Sequence, residues 1–321
     1  MHGQFVWYEL TTPDVDSAKR FYPPLTGWGT QPFDKDYTMW TQGGQPIAGI
    51  FRLSPEMRQK GVPPNWMPYI EANNVDDTLR QATSAGGRVI VPAADIPNVG
   101  RYAVLADPQG ATFGLYKSLH GSQGWDGTPA LGRFSWHELM TTDHKGAFEF
   151  YRKLFGWEKQ QAMEMGPEMG GTYQMYGMKG KMFGGMYNRP PRMANVPPFW
   201  LCYAHVTDVK KGADVATRSG GKIVNGPMEV PGGDWIVVLS DPQGAAIALH
   251  QAARKPATLP ASAAATGGAK KSARKAAKRS PARAKPKARA KSARRARASA
   301  KKTSRPRAKR ATRARKKARR R

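Results

Sequence analysis

Residues 134–157, FSWHELMTTDHKGAFEFYRKLFGW, are a second version of residues 5–28, FVWYELTTPDVDSAKRFYPPLTGW, with 12 of the 24 aligned positions identical. The shared residues include Trp7/Trp136, Glu9/Glu138, Leu10/Leu139, Asp14/Asp143, Phe21/Phe150, Tyr22/Tyr151, Gly27/Gly156 and Trp28/Trp157. The pentapeptide DPQGA recurs at a similar separation, at 107–111 and 241–245. A unit of about 120 residues is therefore present twice.

Inside each copy the pattern starts as a strand. Residues 5–12 alternate, with Phe5, Trp7 and Glu9 on one face and Val6, Tyr8 and Leu10 on the other, as a half-buried strand should. Asp14 can cap a helix whose Ala18, Phe21, Tyr22 and Leu25 form one apolar stripe; in the second copy the stripe is Ala147, Phe150, Tyr151, Leu154. Pro23 and Pro24 are expected to cut the first helix short, because proline removes a donor and crowds the preceding turn. Arg152 and Lys153 impose no such break.

Short strand-like runs follow at 37–41, 47–53, 172–178 and 181–187, with Pro- and Arg-bearing connectors at 57–64 and 188–198. Each copy then resumes with a strand (66–72; 200–206), a helix (75–85; 209–219) and three strands ending at Tyr116 and His250. Gly86-Gly87 and Gly220-Gly221 supply the left-handed residue that ends a helix at low cost. Each Asp-Pro-Gln-Gly lies between apolar runs and reads as a hairpin turn, with Pro second and Gly fourth.

Of the 52 basic residues, 29 lie from Arg254 onward, where there is no Asp or Glu; the other 23 balance all 23 acidic residues. The body is formally neutral, and the tail carries the whole excess of +29. A single cysteine, Cys202, excludes an internal disulfide, and no apolar run reaches the length of a membrane span. The first ten residues lack the basic start and apolar core of a signal peptide. A soluble protein of a reducing, cytoplasmic interior is the expectation.

Taken together, the helices ending in Phe-Tyr, the Leu-x-Gly-Trp that follows and the Asp-Pro-x-Gly turns resemble the vicinal oxygen chelate superfamily, which includes glyoxalase I, bleomycin-resistance proteins and extradiol dioxygenases. The resemblance implies an α+β fold of tandem domains, each of paired βαβββ modules whose curved sheet encloses a cavity. The expected division is domain 1 at 1–118, a linker at 119–131, domain 2 at 132–252 and a polybasic tail at 253–321.

In the metal-using members of that superfamily, His, Gln or Glu side chains on the first and last strands of each module face the cavity. The positions aligned with those ligands here are Trp7, Gly49, Met67 and Gly114 in the first copy, and Trp136, Gly185, Leu201 and Ala248 in the second. None offers a side-chain nitrogen, oxygen or thiolate donor. The usual metal is therefore not expected. Two residues further along the strands stand Glu9, Tyr69 and Tyr116, and Glu138, Tyr203 and His250, with Glu71 and His205 two further on. Glu138, His205 and His250 form a displaced candidate site for a divalent metal. The other readings of these side chains are as separate polar groups that line, with Trp7 and Trp136, a ligand cavity or the domain interface, or as structural residues satisfied by partners.

Glu9 and Glu138 stand beside tryptophan in both copies. A carboxyl in such a pocket should have a raised pKa, and serves as a general base, a holder of a cationic ligand or a hydrogen-bonded structural residue. By parity Tyr8 and His137 face the helices and are packing residues; Cys202 reads as an inert core thiol. The second copy is rich in methionine (Met163, Met165, Met169, Met175, Met178, Met182, Met186), which suits an adaptable apolar pocket and an ordinary core alike.

The tail is written in Ala, Lys, Arg, Pro and Ser, without an aromatic residue. It cannot bury enough apolar surface to offset chain entropy and is expected to be disordered when free. In composition it resembles the tails of linker histones and bacterial histone-like proteins. Its cations, among them Lys270, Lys271, Arg274, Arg294, Arg295, Lys301, Lys302, Arg319, Arg320 and Arg321, would contact DNA phosphates or another polyanion without reading bases. That points to nucleoid association.

Three functions fit these observations. One is a metal-independent member of the superfamily, binding a small organic molecule and tethered to DNA. The second is a metal-dependent lyase or dioxygenase built on Glu138, His205 and His250. The third is an architectural nucleoid-associated protein whose folded part is an interaction module, with a homodimer as an open possibility.

Overall fold

The computed structural model describes residues 1–121 and 130–253; the middle of the expected linker and the basic tail, with every cation named above, lie outside the described residues. The first half runs β1 (Phe5–Thr12), α1 (Val15–Thr26), β2 (Gly29–Pro32), β3 (Tyr37–Gln42), β4 (Gln45–Arg52) and α2 (Pro55–Gln59). It continues through β5 (Asn65–Glu71), α3 (Val75–Ser84), β6 (Arg88–Ile96), β7 (Gly100–Ala106) and β8 (Thr112–Ser118).

The second half repeats that order as β9 (Phe134–Thr141), α4 (His144–Phe155), β10 (Glu158–Glu164), β11 (Thr172–Met178) and β12 (Lys181–Asn188). Then come β13 (Phe199–His205), α5 (Val209–Arg218), β14 (Lys222–Glu229), β15 (Trp235–Ser240) and β16 (Ala246–Gln251). Each half is one eight-stranded mixed sheet, ordered β2-β3-β4-β1-β5-β8-β7-β6 and β10-β11-β12-β9-β13-β16-β15-β14. In each, two βαβββ modules meet through an antiparallel central pair, β1 with β5 and β9 with β13. Within a module the first strand lies parallel to the last.

Local chemistry sets the helix ends. The Asp14 carboxylate accepts the Ser17 N–H and that of Asp143 accepts those of Lys145 and Gly146, while Gly27 and Gly156 close their helices at positive φ. The expected truncation at Pro23 and Pro24 does not occur: α1 has 12 residues, as does α4. The prolines sit in the last turn, where the helix bonds they forgo are those to Lys19 and Arg20, the first half-buried and the second exposed. Thr26 Oγ1 and the Gly27 N–H take up the carbonyls of Tyr22 and Pro23. The edge strands β2 and β10 were not expected from the sequence; they are polar and mostly exposed, so no apolar alternation marks them.

One face of both sheets, with the stripes of α1, α3, α4 and α5, forms a single shared core. The seam between the halves is reciprocal. Tyr22 Oη donates to Asp241 Oδ2 at 2.9 Å, and Tyr151 Oη to Asp107 Oδ2 at 3.1 Å. Each hydroxyl also accepts an indole N–H, from Trp66 and Trp200. Trp28 Nε1 donates to the Gly132 carbonyl and Trp157 Nε1 to that of Gly3. The other oxygen of each Asp accepts backbone N–H groups of its own Asp-Pro-Gln-Gly turn. The two halves therefore pair with each other within one chain, through the helix ends and turns that mark the repeat.

Phe5 corrects the parity reading. A register shift between Phe5 and Trp7 turns Phe5 off the face of Trp7 and Glu9 and into the seam, where its ring stacks on His137 with centroids 3.7 Å apart. Tyr8 stacks on Phe134 at 3.8 Å in the equivalent contact. Tyr8 and His137 are packing residues as expected, but they also bond to each other. Tyr8 Oη lies 2.5 Å from His137 Nε2, and His137 Nδ1 lies 2.9 Å from the Phe183 carbonyl. That carbonyl fixes the proton on Nδ1, so Tyr8 donates to Nε2. Burial pushes the His137 pKa down to about 3, and the ring is neutral.

Candidate functional site

The face of each sheet turned away from the shared core carries its own small cluster; each such face, where the resemblance places the ligand cavity, is termed a cup. The first gathers Met67, Tyr69 and Val104 with Trp7, Val91, Tyr102 and Tyr116; the second gathers Leu201, Tyr203 and Ala248 with Trp136, Phe199 and Ile236. Glu9 and Glu138 stand on the central strands β1 and β9, facing the cups and partly exposed.

In the first cup Tyr37 Oη donates to Glu9 Oε1 at 2.8 Å and Tyr69 Oη to Oε2 at 2.6 Å, while Trp7 Nε1 donates to Tyr37 Oη at 2.9 Å. In the second, Tyr173 and Tyr203 donate to Glu138 Oε2 at 2.9 and 3.1 Å, and Trp136 Nε1 donates to Tyr173 Oη at 2.8 Å. The same Trp–Tyr–Glu–Tyr array is thus built twice. Burial raises both Glu pKa values, against the lowering effect of the hydroxyls that donate to the ionised form. The same burial, with the neighbouring carboxylates, holds the tyrosine hydroxyls protonated as donors.

Glycines make room for the array. A Cβ on Gly49 would lie 1.8 Å from Tyr37 Oη, and one on Gly185 would lie 2.0 Å from the Tyr173 ring. One on Gly114 would lie 2.0 Å from the Tyr69 ring. Three of the positions aligned with metal ligands are therefore the spaces that tyrosines occupy. Sequence reasoning placed Trp7, Glu9, Tyr69, Trp136, Glu138 and Tyr203 in the cups. It missed Tyr37 and Tyr173, which arrive from the third strand of their modules, β3 and β11; an aromatic at its start facing a glycine on the next strand was the available signal.

The displaced metal site is not formed. In strand register Glu138 lies opposite Leu201, whereas His205 lies opposite His250, four residues further along β13 and so about 13 Å away. Among the described residues no group of three or more His, Cys, Asp or Glu side chains is arranged to hold a metal ion. His250 is engaged elsewhere, with Nδ1 2.8 Å from Ser135 Oγ and Nε2 3.0 Å from Asp234 Oδ2, and its ring centroid is 5.3 Å from that of His205. The equivalent pair in the first half is Glu71 and Tyr116: Glu71 is ion-paired to Lys117 Nζ at 3.1 Å, and Tyr116 Oη reaches the Val99 carbonyl at 3.4 Å. Cys202 is fully buried, and that burial raises its thiol pKa well above the ordinary range, consistent with a core thiol. No helix among the described residues is long and apolar enough to cross a membrane.

Comparison with known proteins places this geometry in a family. Residues 133–249 match the Glyoxalase/Bleomycin resistance protein/Dioxygenase superfamily, and residues 7–116 match the glyoxalase-like domain. A putative glyoxylase of Mycobacterium tuberculosis is 33% identical over 247 residues, covering 74% of this chain and 91% of that protein. An anthracycline biosynthesis protein of Streptomyces sp. (strain C5) is 29% identical over 257 residues, covering 76% and 91%. Among solved structures, the 2,2',3-trihydroxybiphenyl 1,2-dioxygenase of Sphingomonas wittichii strain RW1 superposes with a TM-score of 0.57 at 11% identity, over 78% of this chain and 91% of that one. The Mn(II)-bound glyoxalase of Novosphingobium aromaticivorans gives 0.53 at 14% identity, over 78% and 82%. At such identities the solved structures speak to the fold alone. Two family matches, one on each half, and a relative aligned over nine-tenths of its length show that the chain belongs to the glyoxalase/bleomycin resistance protein/dioxygenase superfamily.

Proposed function

We propose that each cup receives a small organic molecule, that binding uses the Trp–Tyr–Glu–Tyr array instead of the superfamily's divalent metal, and that the polybasic tail holds the protein to DNA. The observation that carries the first part is the array itself. A partly exposed carboxylate, fixed between two hydroxyl donors at the floor of an aromatic surface, occurs at the same place in both halves. Apolar walls with a few convergent polar groups are the usual make-up of a small-molecule site. The relative named for anthracycline biosynthesis supports an organic ligand.

Glu9 and Glu138 anchor the ligand through charge or a hydrogen bond, and burial raises the pKa of each, the direction that suits a carboxyl to exchanging a proton with a bound molecule. The test is a thermal-shift screen of the full-length chain against small organic molecules. A ligand that raises Tm in the parent and fails to do so in a Glu9→Gln/Glu138→Gln variant supports the reading. A ligand stabilising both equally defeats it.

For the tail, the support is 29 cations with no compensating acid. If roughly 8 of them engage phosphate at once, the log–log dependence of DNA affinity on salt should have a slope of about −7. A slope near zero in fluorescence anisotropy, or equal binding by a chain ending at residue 253, removes the tether.

A further inference from the structure

Resting on the reading of the cups as ligand sites, we propose that the molecule they take is an organic cation, an alkylated ammonium group seated against the Glu carboxylate and enclosed by aromatic rings. The first reason is charge. Among the described residues neither Glu9 nor Glu138 has an ion-pair partner. Each stands partly exposed among tyrosine hydroxyls, in a setting that penalises an uncompensated carboxylate. A ligand cation supplies the missing countercharge.

The second reason is the ring inventory. Tyr37 and Tyr69 are hydrogen-bonded to Glu9, Trp7 reaches it through Tyr37, and Tyr102 and Tyr116 belong to the same cup. Around Glu138 stand Trp136, Tyr173 and Tyr203, with the Tyr187 ring 5.8 Å from that of Tyr173. Faces of Trp and Tyr attract cations through their quadrupole, and a carboxylate among them adds a direct charge.

The third reason selects the kind of cation. The Tyr37 and Tyr173 hydroxyls each give their hydrogen to the Glu and already accept an indole N–H. Few acceptors are left for the three N–H groups of a primary ammonium, whose hydration would have to be replaced. A tertiary or quaternary ammonium, with few or no N–H groups and a weakly hydrated surface, loses little there. A bare divalent metal would need several oxygen donors where one engaged carboxylate is offered.

The experiment is calorimetric titration of the full-length protein with choline, tetramethylammonium and 3,3-dimethyl-1-butanol, the last an uncharged isostere of choline. Choline is expected to bind at least tenfold more tightly than the butanol. That preference should vanish in Glu9→Gln/Glu138→Gln, whose folding is verified by its thermal melt. An isostere that binds as well as choline, or a choline affinity unchanged in the variant, overturns the inference. If uncharged organic molecules bind in a Glu-dependent way and the cations do not, the inference falls while the cups stand as ligand sites. If neither kind binds, both fall.

Discussion

Equivalent positions in the two halves of this chain have diverged in opposite ways on the two faces of the sheet. At the cups the floors are alike and the surroundings differ: Phe51, Tyr102 and Tyr116 in the first half correspond to Tyr187, Ile236 and His250 in the second. At the seam most contacts are exchanged like for like, but the central pair is unlike, Tyr8 against His137. A contact made by two copies of one residue near the local two-fold must serve both directions at once. A hydroxyl facing a neutral imidazole gives one clear donor and one clear acceptor, which two tyrosines or two histidines would supply less definitely. Divergence therefore settled the seam's centre, whereas at the cups it altered the walls and left the carboxylate floor in place.

The largest effect should come from that central pair. Because burial lowers the His137 pKa to about 3, the folded chain refuses a proton that the unfolded chain accepts near pH 6.5. The stability this ring contributes is complete above about pH 6.5 and is lost as pH falls, by about 1.4 kcal/mol per unit. Glu9, Glu138, Asp107 and Asp241 act with the opposite sign: their raised pKa values contribute stability at low pH that is lost as pH rises through them. A difference measurement separates the two. Between pH 6.5 and 4.5 the parent should lose about 2 kcal/mol more than a Tyr8→Phe/His137→Phe variant in urea unfolding. Equal losses would show that no neutral histidine sits at the seam.

Tyr22→Phe and Tyr151→Phe address the exchanged contacts. Each removes the donor to a buried carboxylate and the acceptor of an indole N–H, at a cost of about 1–3 kcal/mol. Since the two sites are the same contact made twice, their Tm decreases should agree, at about 2–4 °C per kcal/mol. Costs that differ by more than about 1 kcal/mol would break the reciprocity.

Much of this was legible in the residues. The repeat, the helix caps and the cup-facing Trp and Glu depend on local pattern or on strand parity, and the structure carries all of them. What was hidden depends on neighbours distant in sequence. Phe5 obeys a bulge that only its partner strand β5 reveals. Tyr37 and Tyr173 reach the Glu residues from another strand, across glycines whose role is to be small. The Phe-Tyr helix end and the Asp-Pro-Gln-Gly turn were both read, yet their meeting across the seam is a fact of tertiary packing. Glu138, His205 and His250 looked convergent because parity puts them on one face, but parity does not report the distance along the strand.

The smallest effect should come from the wall position where the halves differ by one methyl group. Gly114 in the first cup corresponds to Ala248 in the second, and the Tyr–Glu bond beside it is 2.6 Å in the first and 3.1 Å in the second. A Cβ at 114 would lie 2.0 Å from the Tyr69 ring, so Gly114→Ala must push that ring aside. The expected cost is about 1 kcal/mol, at the low end for an overpacked site, because the second half already accommodates the same methyl. Displacing the Tyr69 hydroxyl removes a donor that stabilises ionised Glu9, so the Glu9 pKa should rise further, which carboxyl-carbon NMR titration reads directly. Were Glu9 to titrate unchanged in Gly114→Ala, the methyl would be absorbed elsewhere, and the difference in bond length between the cups would have another origin.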